Sequence, residues 1–237
     1  DLLVTTFRMT TKMQRTSDEY GITIIDLLEH NEISHNEIKD AIISSVVPNV
    51  MHSLCSGMIK YFGIQPMVVE PGVKTGIRIT SENPAQIGAD RIVDAVGAYE
   101  LYGGPVVVID YGTATTYDFV NGNGDFFAGV TSPGIRISAK ALWEDAAKLP
   151  EIEIKKPSTI LARETISSMQ AGLIFGQIGQ TEYIVKNMIK ESGLKDVKVV
   201  ATGGLGKIIA NETKYIQYYN PTLTLEGMRL IYAKQKR

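Results

Sequence analysis

Residues 106–120, VVVIDYGTATTYDFV, constrain the fold more than any other stretch of the chain. Val106 to Ile109 are consecutive β-branched residues, the composition of a buried strand, and the strand ends on a carboxylate, Asp110. Gly112, Thr113, Thr115 and Thr116 follow almost at once. A carboxylate at the end of a buried strand is costly unless hydrogen-bond donors or a cation meet it there. In an open α/β sheet the loops at the carboxyl ends of strands line the ligand crevice, so polar chemistry is expected to gather at Asp110.

The rest of the chain alternates strand and helix patterns, which supports an α/β class. Residues 2–9 (LLVTTFRM) read as a strand, and residues 18–30 carry Ile22, Ile25, Leu27 and Leu28 at helical spacing behind an acidic start. A strand over 40–48 stopped by Pro48, a helix from about Asn49 to Phe62 and a short strand over 67–70 are expected next. Residues 88–104 read as a helix with Gly103 and Gly104 as its stop. Asn121-Gly122-Asn123-Gly124 turns the 106–120 stretch back into DFFAGVTSPG as an antiparallel meander. Helices near 135–148 and 165–192, a strand over 197–202 and a last helix after Asn220-Pro221 complete the chain.

With 237 residues there is room for one large domain or two modest ones. A Lys-Asp pair leads into a β-branched strand twice, in KDAIISSVV from Lys39 and KDVKVVATG from Lys195, which is either the trace of a duplicated unit or a chance dipeptide match. The halves on the first reading are residues 1–101 and 102–237. The first is expected to lack, at its front, a counterpart of Val106 to Phe119.

Charge and cysteine usage exclude several classes. A formal net charge of -2 gives no bias toward polyanions, so nucleic acid is not an expected partner. Cys55 is the single cysteine and cannot form an internal disulfide, and neither a secretory signal nor a bilayer-spanning apolar run is present. The expected compartment is the cytoplasm, with no membrane partner, and Asn211-Glu212-Thr213 is then a chance match to a glycosylation sequon. His30, His35 and His52 show no ligand spacing with Cys55 or with acids, so no transition-metal site is expected.

Several segments could carry chemistry. At Asp110, Gly112 lets the backbone turn closely, and the amides and hydroxyls after it can face phosphate oxygens while the carboxylate holds a cation or its water. The alternative is an Asp that caps the turn, with threonines present for β propensity. ATGGLGK (201–207) is a second glycine-bearing strand-to-helix junction; it is not a Walker loop, but Gly203 and Gly204 could let the backbone approach a flat ligand such as adenine. GADR (88–91) places Asp90 and Arg91 at a helix N-terminus. Asp90 there is either a first-turn residue answering the helix dipole or a general base beside an arginine that binds a substrate carboxylate. In the 165–192 helix Gly172, Gly176 and Gly179 lie near one side, suited to close helix packing, while Gln170, Gln177 and Gln180 argue against a membrane helix.

Taken together these segments resemble the type III pantothenate kinases, members of the acetate and sugar kinase, heat-shock ATPase and actin superfamily. The resemblance runs from TSDEYG (16–21) and SSVVP (44–48) through GVKTG (72–76), NPAQIGADRIVDA (83–95) and VIDYGTATTYD (108–118). It continues through SPGIRIS (132–138), SSMQAG (167–172), ATGGL (201–205) and PTLTLEGMRLIY (221–232). It implies a duplicated ribonuclease-H-like, actin-like ATPase fold, two similar halves with ATP in the cleft. It further implies transfer of the γ-phosphoryl group of ATP, with Mg²⁺, to the primary hydroxyl of pantothenate, the first step toward coenzyme A. By the same resemblance Asp90 is the general base, Gly88, Ala89 and Arg91 meet pantothenate, and Thr165 reaches it from the partner subunit of a homodimer. Asp110 holds a monovalent cation, potassium or ammonium, and Gly112 and Thr113 meet the nucleotide.

Two departures stand out. The family opens with an acid followed by Gly-Asn-Thr on its first strand, which these residues do not contain, and Ser81 stands where many members have a Tyr near the pantothenate pocket. A kinase-like binding or regulatory module is the rival from another class, and retention of Asp90, Arg91, Asp110 and Thr113 argues against it. A related sugar or acetate kinase is disfavoured by the GADR helix.

Overall fold

The computed structural model describes residues 2–11, 15–70 and 72–236. These fall into two compact units, the chain up to residue 73 with 88–90 and 236, and residues 74–87 with 91–235.

In the first unit, α1 (Ser17–His30) opens with a capping box. Thr16 Oγ1 accepts from the Glu19 amide, and Glu19 Oε2 accepts from the Thr16 amide at 2.7 Å. The strand β1 (Ile42–Ile43) is followed by α2 (Pro48–Phe62), which starts on proline, ends at Gly63 and packs against α1. The strand β2 (Met67–Val68) runs parallel to β1, Ile42 opposite Met67 and Ile43 opposite Val68. Residues 2–11 form no strand, contrary to the pattern of residues 2–9. Leu2 is 88% and Val4 75% exposed, and β propensity does not make a strand where no neighbour completes the ladder.

The second unit is built on a six-stranded sheet. After β3 (Arg78–Ile79) comes α3 (Ala89–Tyr102), whose first two residues belong to the first unit. The meander β4 (Val106–Tyr111), β5 (Ala114–Val120) and β6 (Asp125–Pro133) follows, with Asn121 Oδ1 accepting from the amides of Asn123 and Asp125 to close the β5–β6 turn. Next come α4 (Ile135–Asp145), α5 (Thr165–Ser192), β7 (Lys198–Thr202), α6 (Gly206–Ala210), β8 (Tyr218–Tyr219) and α7 (Leu223–Gln235). The sheet order is β3-β6-β5-β4-β7-β8. The β4–β5 and β5–β6 pairs are antiparallel and the others parallel.

Both faces of this sheet are covered, which is why β4 reads as an unbroken apolar run. On one face Val107, Ile109, Tyr117, Phe119, Val199 and Ala201 pack with Ala139 of α4, Ile174 and Val185 of α5 and Ile209 of α6. On the other Val106, Val108, Val120 and Val200 pack with Ala95 and Ala98 of α3 and Leu223 of α7. By strand alternation Asp110, Thr116, Asp118 and Thr202 belong to this second face. The architecture is mixed α/β, as the alternating sequence pattern predicts.

Candidate active site

Asp110 is the last-but-one residue of β4 and stands between two threonines, Thr116 across the antiparallel pair and Thr202 across the parallel pair. Two glycines clear the space around its carboxylate. A Cβ at Gly203 would lie 2.6 Å from Asp110 Oδ1, and one at Gly112 would lie 2.8 Å from Oδ2. Gly203 also has φ +90°, a backbone state that side chains rarely adopt, and its carbonyl accepts from the Tyr219 hydroxyl at 3.1 Å. The turn bearing Gly112 and exposed Thr113 is packed against Gly134 just before α4, where a Cβ would lie 2.6 Å from the Gly112 carbonyl oxygen. Gly204, next to Gly203, is exposed.

Beneath this strand end a buried polar chain ties β4, β5 and β6 to α5. The Tyr111 and Tyr117 hydroxyls lie 2.9 and 3.2 Å from Thr181 Oγ1, and Gln177 donates to Tyr117 and to Gln180, which also accepts from Ser132. Burial pushes both phenols up, Tyr111 far above the ordinary tyrosine range, so both remain protonated donors.

The GADR segment divides. Gly88, Ala89 and Asp90 lie with the first unit, Asp90 in the first turn of α3 where its charge answers the helix dipole. Its carboxylate lies over Gly88, where a Cβ would stand 2.5 Å from Asp90 Oδ1 and 3.0 Å from Val46 Cγ1. Arg91 lies with the second unit and is gripped by Asp118 of β5. Arg91 Nε donates to both carboxylate oxygens, at 3.0 and 3.2 Å, and Nη2 donates to Oδ1. The Asp118 side chain is 2% exposed, that of Arg91 22%.

Thr165 begins α5 and lines a groove with Ser138, Leu142, Leu149, Ser168, Met169, Gly172 and Leu173, none of them another candidate residue. Gly172, Gly176 and Gly179 have open space where a Cβ would project, so the packing expected from their spacing is not made within the described residues of this chain. Ser81 Oγ is buried without a hydrogen-bond partner. Among the described residues no group of three or more His, Cys, Asp or Glu could hold a metal ion, and no helix is long and apolar enough to cross a membrane. The sequence reading missed Asp118, Gly129 and Gly134. The signal for Asp118 was present, an acid inside an apolar strand.

Residues 1–187 match the family model described as type III pantothenate kinase. A type III pantothenate kinase of Agathobacter rectalis is 66% identical over 237 residues, covering 100% of this chain and 91% of the relative's length. The chain belongs to the type III pantothenate kinase family. Two solved structures resemble this kinase-family chain in fold. One is described as a conserved putative Baf family transcriptional activator from Campylobacter jejuni, with TM-score 0.55, 21% identity and 84% and 86% of the two chains covered. The other is the ethanolamine utilization protein EutJ from Carboxydothermus hydrogenoformans, with TM-score 0.50, 17% identity and 93% and 78% covered. At these identities they speak to the fold alone.

Proposed function

We propose that this chain catalyses ATP-dependent phosphorylation of pantothenate to 4′-phosphopantothenate, the first step of coenzyme A biosynthesis. Family membership at 66% identity carries the reading, and the shaped space at Asp110 supports it. Residues 1–101 and 102–237 are the two homologous halves in this account.

Asp90 serves as the general base. The primary hydroxyl oxygen of pantothenate attacks the γ-phosphorus, the bond from that phosphorus to the β–γ bridging oxygen breaks, and ADP leaves with the electron pair. The hydroxyl proton passes to Asp90. A carboxylate is a weak base for an alcohol, so it takes the proton late, as the loose transition state discharges. Gly88, Ala89 and Arg91 meet pantothenate, Arg91 through the substrate carboxylate. Gly112 and Thr113 meet the phosphates, and Gly203 and Gly204 let the backbone approach the adenine.

Asp110 fits a monovalent cation, potassium or ammonium, because it offers one carboxylate flanked by the threonines at 116 and 202 in a space that glycines keep open. Mg²⁺ would arrive on the nucleotide phosphates. Cations held there would supply charge neutralisation for the transferring phosphoryl group. A cytoplasmic homodimer completes the reading, with no membrane or nucleic-acid partner. The open glycine row of α5, together with Leu161 at 80% and Tyr183 at 72% exposure, supports a second copy on that face, where Thr165 would reach the partner's substrate.

ADP release by the protein with ATP and Mg²⁺, with and without pantothenate, tests this in potassium and then in sodium buffer. Release that requires pantothenate, falls in sodium and loses its potassium dependence in Asp110→Asn is the expected result. Absence of pantothenate-dependent ADP would return the binding or regulatory module to first place.

A further inference from the structure

Asp118 is the most deeply buried charge among the residues around the proposed site, and the proposed reaction leaves it without a task. It stands on β5 with Val108 of β4 on one side and Gly129 of β6 on the other, its side chain 2% exposed. Ion pairs so placed are often no more stabilising than apolar residues of the same volume, so stability alone is a weak reason for an acid here. Its geometry is specific. Arg91 presents the Nε–Nη2 edge of its guanidinium, with Nε shared between both carboxylate oxygens, and Phe126 lies with its ring centroid 5.8 Å from Arg91 Cζ.

Gly129 is part of the same arrangement. A Cβ there would lie 2.7 Å from Asp118 Oδ1, would collide with Arg91 Nη2, and would stand 3.2 Å from the Tyr117 carbonyl oxygen. Asp118 and Asp110 are also diagonal neighbours on one face of the β4–β5 pair, since Val108 faces Asp118 and Asp110 faces Thr116. Pairing Asp118 with Arg91 relieves the repulsion that two bare carboxylates at that spacing would exert.

We propose that Asp118 and Gly129 are positioning residues for substrate recognition. Asp118 holds one edge of the Arg91 guanidinium, and Gly129 keeps open the space that this grip occupies, so that Arg91 meets the pantothenate carboxylate in one fixed orientation. The inference rests on Arg91 being the carboxylate contact, as in the proposed function. Fixing a long side chain before the substrate arrives removes an ordering loss from binding and leaves the chemical step alone. The variants should therefore act on KM for pantothenate, with kcat and KM for ATP little changed.

Steady-state kinetics of the full chain with Asp118→Asn, Gly129→Ala, Arg91→Gln and the double variant Arg91→Gln/Asp118→Asn, alongside thermal melting, provide the test. Asp118→Asn and Gly129→Ala are each expected to raise KM for pantothenate roughly tenfold or more, the scale of a lost charged hydrogen bond. KM for ATP should stay within about twofold of the unaltered enzyme, since no phosphate contact is touched. The double variant should match Arg91→Gln, because Asp118 acts through that arginine. Should Asp118→Asn fail to fold, Gly129→Ala carries the test, since it keeps both charges. If Arg91→Gln raises KM while Asp118→Asn or Gly129→Ala leaves it unchanged, the positioning role is overturned and the arginine's substrate role stands. If Arg91→Gln leaves KM unchanged, the substrate role falls and takes the positioning role with it.

Discussion

In the first unit α1, β1, α2 and β2 follow one another, and in the second α5, β7, α6 and β8 run in the same order of types. The leading strands β1 and β7 each begin three residues after the lysine of a Lys-Asp pair, at Ile42 and Lys198, and each has a short parallel neighbour after one helix. Their surroundings differ. The strand β7 lies between β4 and β8, runs from Lys198 to Thr202 and buries Val199, Val200 and Ala201 completely, whereas β1 pairs with β2 alone among the described residues and its isoleucines are half-buried. Strand length here follows from neighbours on both sides more than from β propensity, for IISSVV holds four β-branched residues and VKVV three.

Catalysis gives the sharpest contrast between the units, because the proposed base and the proposed cation ligand lie in different ones. Asp90→Asn should lower kcat by roughly 10²–10⁴-fold with a small change in KM for ATP, the usual range for losing a general base. A loss below about tenfold in single-turnover assays would remove Asp90 from that role.

Packing comes next. Phe119 is 1% exposed in the six-stranded sheet, and Phe119→Ala should destabilise by about 3–5 kcal/mol in denaturant unfolding. Ile42→Ala, on the half-buried β1, should give about 1–2 kcal/mol, less than a fully buried isoleucine would. Equal losses at the two positions would break the comparison.

Between these lies the polar chain under β4. Thr181→Val deprives the Tyr111 and Tyr117 hydroxyls of a shared partner and should destabilise by about 1–3 kcal/mol. A Tyr111→Phe/Tyr117→Phe background should recover part of that loss, since no buried hydroxyl is then stranded.

The smallest effect is expected at the sheet edge. The Asn121 amide and then Arg78 hold the Asp125 carboxyl below the ordinary aspartate range. A lowered folded-state pKa contributes stability above the unfolded value, lost as pH falls through the folded one. Asp125→Asn should give up a small part of the stability at neutral pH and flatten the decline in melting temperature below about pH 4.

The sequence made some of this legible and hid the rest for physical reasons. The helix α1 carries its start signal in Thr16 and Glu19, and the β5–β6 turn in Asn121 and Gly124, because caps and tight turns are local. The two-residue strands β3 and β8 were invisible, since each exists only by pairing with a longer neighbour, β6 and β7. The strand expected over 2–9 failed for the same reason in reverse. Asp110 announced itself by ending an apolar run, whereas Asp118 and Gly129 became meaningful only when the register set them opposite each other beneath Arg91. The approach of Gly203 to Asp110 was likewise a matter of β7 lying beside β4.

The central claim is that the chain moves a phosphoryl group from ATP to the primary hydroxyl of pantothenate. Incubation with ATP, Mg²⁺, potassium and pantothenate, followed by phosphorus NMR and mass analysis, measures this directly. The account predicts a new phosphate monoester on the primary hydroxyl in equal amount to ADP. ADP without a phosphorylated pantothenate, or a phosphate on another position, would contradict it.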